Sequence, residues 1–233
     1  MTGAKPPSKP GTAVEAFLRQ LAATPATRRQ AGQGGRLLFA MDATASREPS
    51  WDKACQIQGE MFLVTEALGG LAVQLCYYRG FGEFAATPWL ASSAELVRRM
   101  TGVACRGGQT QIARVLGHAA TEARKGRVNA LVFVGDAFEE DIDAVAQRAG
   151  ELGVLGVPAF MFHEGGDAVA RRGFETVARL TGGHYCAFDA SSAQQLRDLL
   201  AAVAVFAAGG RAALEDFGKA RGGLALRLLH RPR

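Results

Sequence analysis

No apolar run in the sequence reaches the roughly 18 residues that a membrane-spanning helix needs. The N-terminal stretch carries Lys5 and Lys9 among prolines and lacks the apolar segment of a signal peptide, which leads us to expect a cytoplasmic protein. Cysteine is scarce: Cys55, Cys76, Cys105 and Cys186 include no Cys-x-x-Cys pair, which argues against a zinc ribbon or finger and predicts reduced thiols in apolar surroundings. The histidines, at 118, 163, 184 and 230, are scattered, and each reads better as structural or solvated than as catalytic. No Gly-x-Ser-x-Gly elbow, P-loop or Gly-x-Gly-x-x-Gly occurs, and no internal repeat is visible.

The net charge of +5 belongs to the ends. Residues 1–35 carry +4, residues 209–233 carry +4, and residues 36–208 carry −3. The basic residues are too sparse along the ends to predict nucleic-acid binding, and solvated tails are the simpler reading. Three segments follow: a disordered N-terminus (1–13) leading to a short helix at Val14–Ala23 and a linker (together 1–35), one domain (36–208), and a basic C-terminal tail (209–233).

Within the domain, strand-like and helix-like segments alternate, the pattern of an α/β fold. Leu37 to Met41 form a continuous apolar run, as in a strand buried on both faces of a parallel sheet. That run stops at Asp42, and Thr44 and Ser46 follow at every second position. Such residues often cap a helix, but they also offer hard oxygen atoms suited to a cation such as Mg2+. Open α/β sheets place ligands at this end of their strands. Helices are expected from about Trp51 to Leu68 and from Ser92 to Met100, strands at Leu71–Arg79 and Phe84–Leu90, the latter at an edge because Pro88 interrupts it. Gly107-Gly-Gln-Thr110 then opens a helix with Ile112, Val115, Leu116, Ala119 and Ala123 on one face. Asn129 to Val134 repeats the first pattern and ends in Asp136, after which Glu139, Glu140 and Asp141 are expected to open the next helix, where the dipole favours acids. The C-terminal part continues with a strand at Pro158–Phe162, a helix at Phe174–Leu180 stopped by Gly182-Gly183, and a strand at His184–Phe188. The last helix, capped by Ser191 or Ser192, presents Leu196, Leu199, Leu200, Val203 and Phe206. Asp189 reads as a turn or cap residue.

A strand ending Asp-x-Thr-x-Ser, a threonine opening a later helix and a second strand ending in Asp, in that order, resemble the von Willebrand factor A (VWA) domain over roughly residues 36–208. The resemblance implies a doubly wound, mainly parallel sheet flanked by helices, Rossmann-like, with one antiparallel edge strand. It also implies a metal-ion-dependent adhesion site made of Asp42, Thr44, Ser46, Thr110 and Asp136. There the hydroxyls would contact Mg2+ (or Mn2+ or Ca2+), the carboxylates would act mostly through water, and a partner protein would add an Asp or Glu. Three positions depart from the family pattern: Thr44 stands where serine is commoner, Gln109 separates the glycines from Thr110, and Ala137 replaces a frequent glycine. Bacterial intracellular members of the family often work beside ATPase chaperones, so such a complex is an expected partner. The leading expectation is therefore a binding module without enzymatic turnover. Two competing readings are a Mg2+-dependent phosphohydrolase using Asp42 and a scaffold that kept the fold and lost the metal.

Overall fold

The chain alternates β-strands and α-helices around one mixed sheet in a computed structural model that describes residues 10–24, 35–48, 71–188 and 193–220. The elements are α1 (Pro10–Ala23), β1 (Gly35–Asp42), β2 (Leu71–Arg79), β3 (Glu83–Ala86), α2 (Ser93–Thr101), α3 (Ile112–Lys125), β4 (Ala130–Gly135), α4 (Ile142–Val154), β5 (Ala159–Glu164), α5 (Ala168–Thr181), β6 (Tyr185–Phe188) and α6 (Ala193–Ala220). The helix expected at Trp51–Leu68, together with Asp189, Ser191 and Ser192, lies outside the described residues.

The sheet has six strands in the order β3-β2-β1-β4-β5-β6. All neighbours are parallel except the edge pair β2–β3, which is antiparallel. This is the α/β class that the strand–helix alternation implied, and the doubly wound sheet with one antiparallel edge strand that the family resemblance implied. The central strands are apolar throughout because both faces are covered. Leu37, Phe39 and Met41 of β1 pack with α1 and α6, whereas Leu38 and Ala40 pack with α3 and its neighbours α4 and α5. Pro88 stops β3 early at Ala86; Leu90 returns only as an isolated bridge to Val73. Gly182 ends α5 in the left-handed region, at φ 70°, which glycine adopts without steric cost.

Both ends of the folded unit reach beyond 36–208. α1 begins at Pro10 rather than Val14, so residues 10–13 are helical where disorder was expected. It inserts Phe17 and Leu21 into the core, where Phe17 packs on Phe160 and Phe162, and Thr24 Oγ1 meets His184 Nε2 at 2.8 Å. Likewise, residues 209–220 belong to α6, which breaks at Gly210 (φ 67°, ψ −160°) and buries Leu214 beyond it. Among the described residues no helix is long and apolar enough to cross a membrane.

Candidate functional site

β1 ends at the middle of the sheet's C-terminal edge, and its last residue, Asp42, is fully buried. Its Oδ1 accepts the Thr44 N–H at 2.8 Å, which folds the chain back on itself, and its Oδ2 accepts the Tyr78 hydroxyl at 3.0 Å. Tyr78 lies directly opposite Asp42 in the β1–β2 register and is itself fully buried. The loop then pairs with a second one, because the Arg106 N–H donates to the Ala43 carbonyl at 3.0 Å. Thr44 Oγ1 and Ser46 Oγ stand 3.1 Å apart at the start of a short 3-10 turn, Ala45–Arg47.

Thr110 comes from the loop before α3. Gly108 makes that loop possible: a Cβ there would lie 2.1 Å from the Gly80 carbonyl oxygen, so only glycine allows this approach. Gln109, the extra residue before Thr110, is exposed. Thr110 is buried, yet it does not cap its own helix; Gln111 holds that position, without a side-chain cap bond. Instead the Thr110 hydroxyl accepts the Glu139 N–H at 2.9 Å, and the Thr110 N–H donates to Glu139 Oε2 at 3.1 Å. Glu140 accepts from the N–H groups of Ile112 and Ala113, the latter at 2.9 Å. The acids expected to open α4 are thus divided. Asp141 alone caps α4, accepting from Asp143 and Ala144, while Glu139 and Glu140 serve the start of α3. The helix dipole drew them as expected, but to the neighbouring helix end.

Asp136 directly follows β4, the parallel neighbour of β1. The adjoining backbone is close, since a Cβ on Gly135 would lie 3.4 Å from Asp42 Cβ. Asp136 Oδ1 is buried and has no hydrogen-bond partner among the described residues. Burial pushes the Asp42 carboxyl above its ordinary value, the Asp136 charge adds to this, and the hydrogen bonds from Thr44 and Tyr78 pull it back. Asp42 at the end of β1 and Thr44, Ser46, Thr110 and Asp136 on the adjoining loops therefore lie at one edge of the sheet.

Two residues of this edge were not marked by the sequence reading. Arg47, immediately after Ser46, is 1% exposed and forms an ion pair with Glu164 at the end of β5. Burial lowers its pKa, and the charges that act on it most strongly are those of Asp136 and Asp42. The available signal was its position one residue beyond Asp-x-Thr-x-Ser. Tyr78 gave none, since a tyrosine in an apolar strand reads as core. The described histidines are all engaged: His118 with Gln74, His163 with Tyr185 and His184 with Thr24. Among the described cysteines Cys76 and Cys186 are buried free thiols, as expected, whereas the Cys105 thiol is partly exposed; Cys55 lies outside the described residues.

Neither a family model nor a curated protein matches the sequence. Solved structures do match. The VWA domain of SpRpn10 superposes with a TM-score of 0.58 at 13% identity, covering 72% of this chain and 94% of that one. The vWF domain of the type V pili tip protein Mfa5 from Porphyromonas gingivalis gives a TM-score of 0.59 at 9% identity, covering 74% and 95%. Proximal thread matrix protein 1 from the mussel byssus, with a zinc-occupied MIDAS motif, gives 0.57 at 13% identity, covering 73% of this chain and 46% of that one. The chain has the VWA fold. It spans nearly the whole of the first two domains and less than half of the mussel protein.

The VWA fold implies a metal at this edge, and the geometry tests that implication. Two cis ligands of an octahedral Mg2+, each about 2.1 Å from the ion, are about 3 Å apart; the Thr44 and Ser46 hydroxyls stand at 3.1 Å. The buried, partnerless Oδ1 of Asp136 has an acceptor to offer a metal-bound water. Thr110 accepts one hydrogen bond through its hydroxyl, which leaves a second lone pair. The residues fit a hard cation. Among the described residues no group of three or more His, Cys, Asp and Glu forms a metal site, so an ion here would be held by hydroxyls and water, with carboxylates behind them.

Proposed function

We propose that this VWA domain is a protein-interaction module whose sheet edge holds a divalent cation, Mg2+ by preference, that bridges to an Asp or Glu of a partner protein. The observation that carries this reading is the buried, unsatisfied Asp136 Oδ1 on the same edge as the Thr44–Ser46 hydroxyl pair. Thr44, Ser46 and Thr110 would supply neutral oxygens, with Asp42 and Asp136 orienting bound waters. The metal's chemistry here is Lewis acidity toward a carboxylate. A site with so few direct charges leaves the cation incompletely neutralised and so receptive to one more anion. Phe81 supports a protein partner. It is 86% exposed at the tip of the β2–β3 hairpin, at the same end of the sheet, where the half-exposed Glu83 and the exposed Arg106 lie beside it.

Binding is favoured over phosphoryl transfer by the placement of Asp42. A nucleophilic carboxylate must reach its substrate, whereas Asp42 is 0% exposed and both its oxygens accept hydrogen bonds. A cytoplasmic setting and an ATPase chaperone complex as partner belong to the same proposal, the chaperone on the family resemblance alone. The scaffold reading is favoured by one feature, the buried cation of Arg47 beside the carboxylates.

The test is a calorimetric titration with MgCl2 and MnCl2, followed by water-proton relaxation of the Mn2+ complex while acetate is added. The reading expects saturable binding, lost in Asp42→Ala and Asp136→Ala, and a drop in relaxation as acetate displaces a metal-bound water. Binding unaltered in both variants would refute the assignment of the site, and no binding at millimolar metal would leave the scaffold reading in its place.

A further inference from the structure

Arg47 sits where its charge must matter. It follows β1, and its ion-pair partner Glu164 ends β5. In the sheet order β4 lies between those strands. Neighbouring strands are about 4.8 Å apart, so β1 and β5 are separated by about 10 Å. An arginine that starts beside β1 and meets Glu164 beyond β4 therefore crosses the end of β4, which is where Asp136 stands. Its burial excludes a detour through solvent. The same edge thus holds the carboxylates of the buried Asp42 and the partly buried Asp136 and Glu164 with one buried guanidinium, together a formal charge of −2 that a divalent cation would cancel. A guanidinium stays ionised even here, because its ordinary pKa lies far above neutral pH.

We propose that Arg47 is a tethered competitor of the divalent cation: its guanidinium, anchored by Glu164, shares the carboxylates of Asp42 and Asp136 with the metal and sets how tightly the site binds it. The inference rests on the proposed metal site and adds a regulator to it. Metal entry shifts Arg47 toward Glu164, and metal loss lets it return to the aspartates. The edge is then never left with uncompensated buried carboxylates, which would be costly in an apolar setting. Metal occupancy is coupled to β5 through a single side chain.

The competitor idea separates from simple charge counting in a double variant. Arg47→Met with Glu164→Gln keeps the formal charge of the edge at −2 but removes the tethered cation. Charge counting expects unchanged affinity; competition expects tighter binding, by about tenfold or more, the range in which second-shell partners tune metal affinity. Glu164→Gln alone frees the guanidinium for the aspartates and weakens binding by a similar factor. Arg47→Lys with native Glu164 keeps a tethered cation and restores affinity toward the native value.

The experiment is calorimetric titration of the full-length chain and these variants with MnCl2, with circular dichroism and melting in chelator to verify folding. If that double variant does not fold, Arg47→Gln with Glu164→Gln keeps the same charge count and decides the matter; Glu164→Gln alone weakens binding on either account. Equal affinities in native protein, Glu164→Gln and the double variant would overturn the role of Arg47 while leaving the metal site standing. Binding by the double variant but not by the native chain would support the competitor and refute the metal bridge in the native protein. No binding by any variant would refute both.

Discussion

Asp42 is predicted to be a residue whose charge costs stability until a cation arrives. Its carboxyl is fully buried, and its pKa in the folded protein lies above the ordinary 3.8. The ionised form is thus favoured in the unfolded chain and disfavoured in the folded one. Its contribution to stability is present below the unfolded value and lost as pH rises through the folded value, so the penalty is complete at pH 7. Asp42→Asn removes it at nearly constant shape. Asn Oδ1 can still accept from the Thr44 N–H, and the Tyr78 hydroxyl can reverse to accept from the amide. The stabilisation expected is on the order of 1 kcal/mol, the ordinary size of a single-substitution effect. For a chain of this size that raises the melting temperature by about 2–4 °C. The assay is thermal melting at pH 7 in chelator and again with excess MgCl2. In chelator the variant should melt above the native protein. With metal the order should reverse, because the variant loses the charge behind the metal-bound water and binds at least about tenfold more weakly. A variant that melts below the native protein in chelator would show that the hydrogen bonds to the carboxylate outweigh its desolvation, and the reasoning would fail.

Other outcomes follow from the same structure. Phe17→Ala should cost about 3–5 kcal/mol by opening a cavity against Phe160 and Phe162, read as a lower urea midpoint; a near-neutral result would show that α1 is not part of the cooperative core. Burial holds His163, His184 and His118 below the ordinary 6.5, so stability is full above that value and declines as pH falls through their folded pKa values; urea midpoints at pH 7 and pH 5 measure this, and the decline should shrink in His184→Gln. Thr44→Val should lower Mn2+ affinity while leaving the circular dichroism spectrum unchanged, since it removes a hydroxyl of the Thr44–Ser46 pair and keeps the Thr44 N–H that ties the loop to Asp42. Phe81→Ser should leave stability within about 0.5 kcal/mol, because the ring is 86% exposed, and should weaken capture of a partner once one is identified.

Much of the site was legible because both of its strands announce themselves. Asp42 ends one apolar run and Asp136 follows another, and two carboxylates at the C-terminal ends of such strands lie where an open α/β sheet places its ligands. The threonine was legible for a related reason: glycines before a helix mark a close backbone approach, here Gly108 on Gly80. What each hydroxyl bonds was not legible. Thr110 was readable as a helix cap and turned out to pair with Glu139, a contact made by a loop 29 residues away.

Local pattern therefore determined most of the described elements and their order along the chain, because hydrophobic periodicity and turn chemistry act over a few residues; the set of five oxygen-bearing residues came from that pattern together with the family resemblance. The tertiary structure alone decided which helix the acids of 139–140 would cap, that α1 would complete the core, and that Tyr78, Arg47 and Glu164 would surround the two aspartates. Those are matters of register and strand order. They place charges from β1, β2, β4 and β5 within reach of one another, and the electrostatics of a buried site depends on that neighbourhood, which no window of sequence contains.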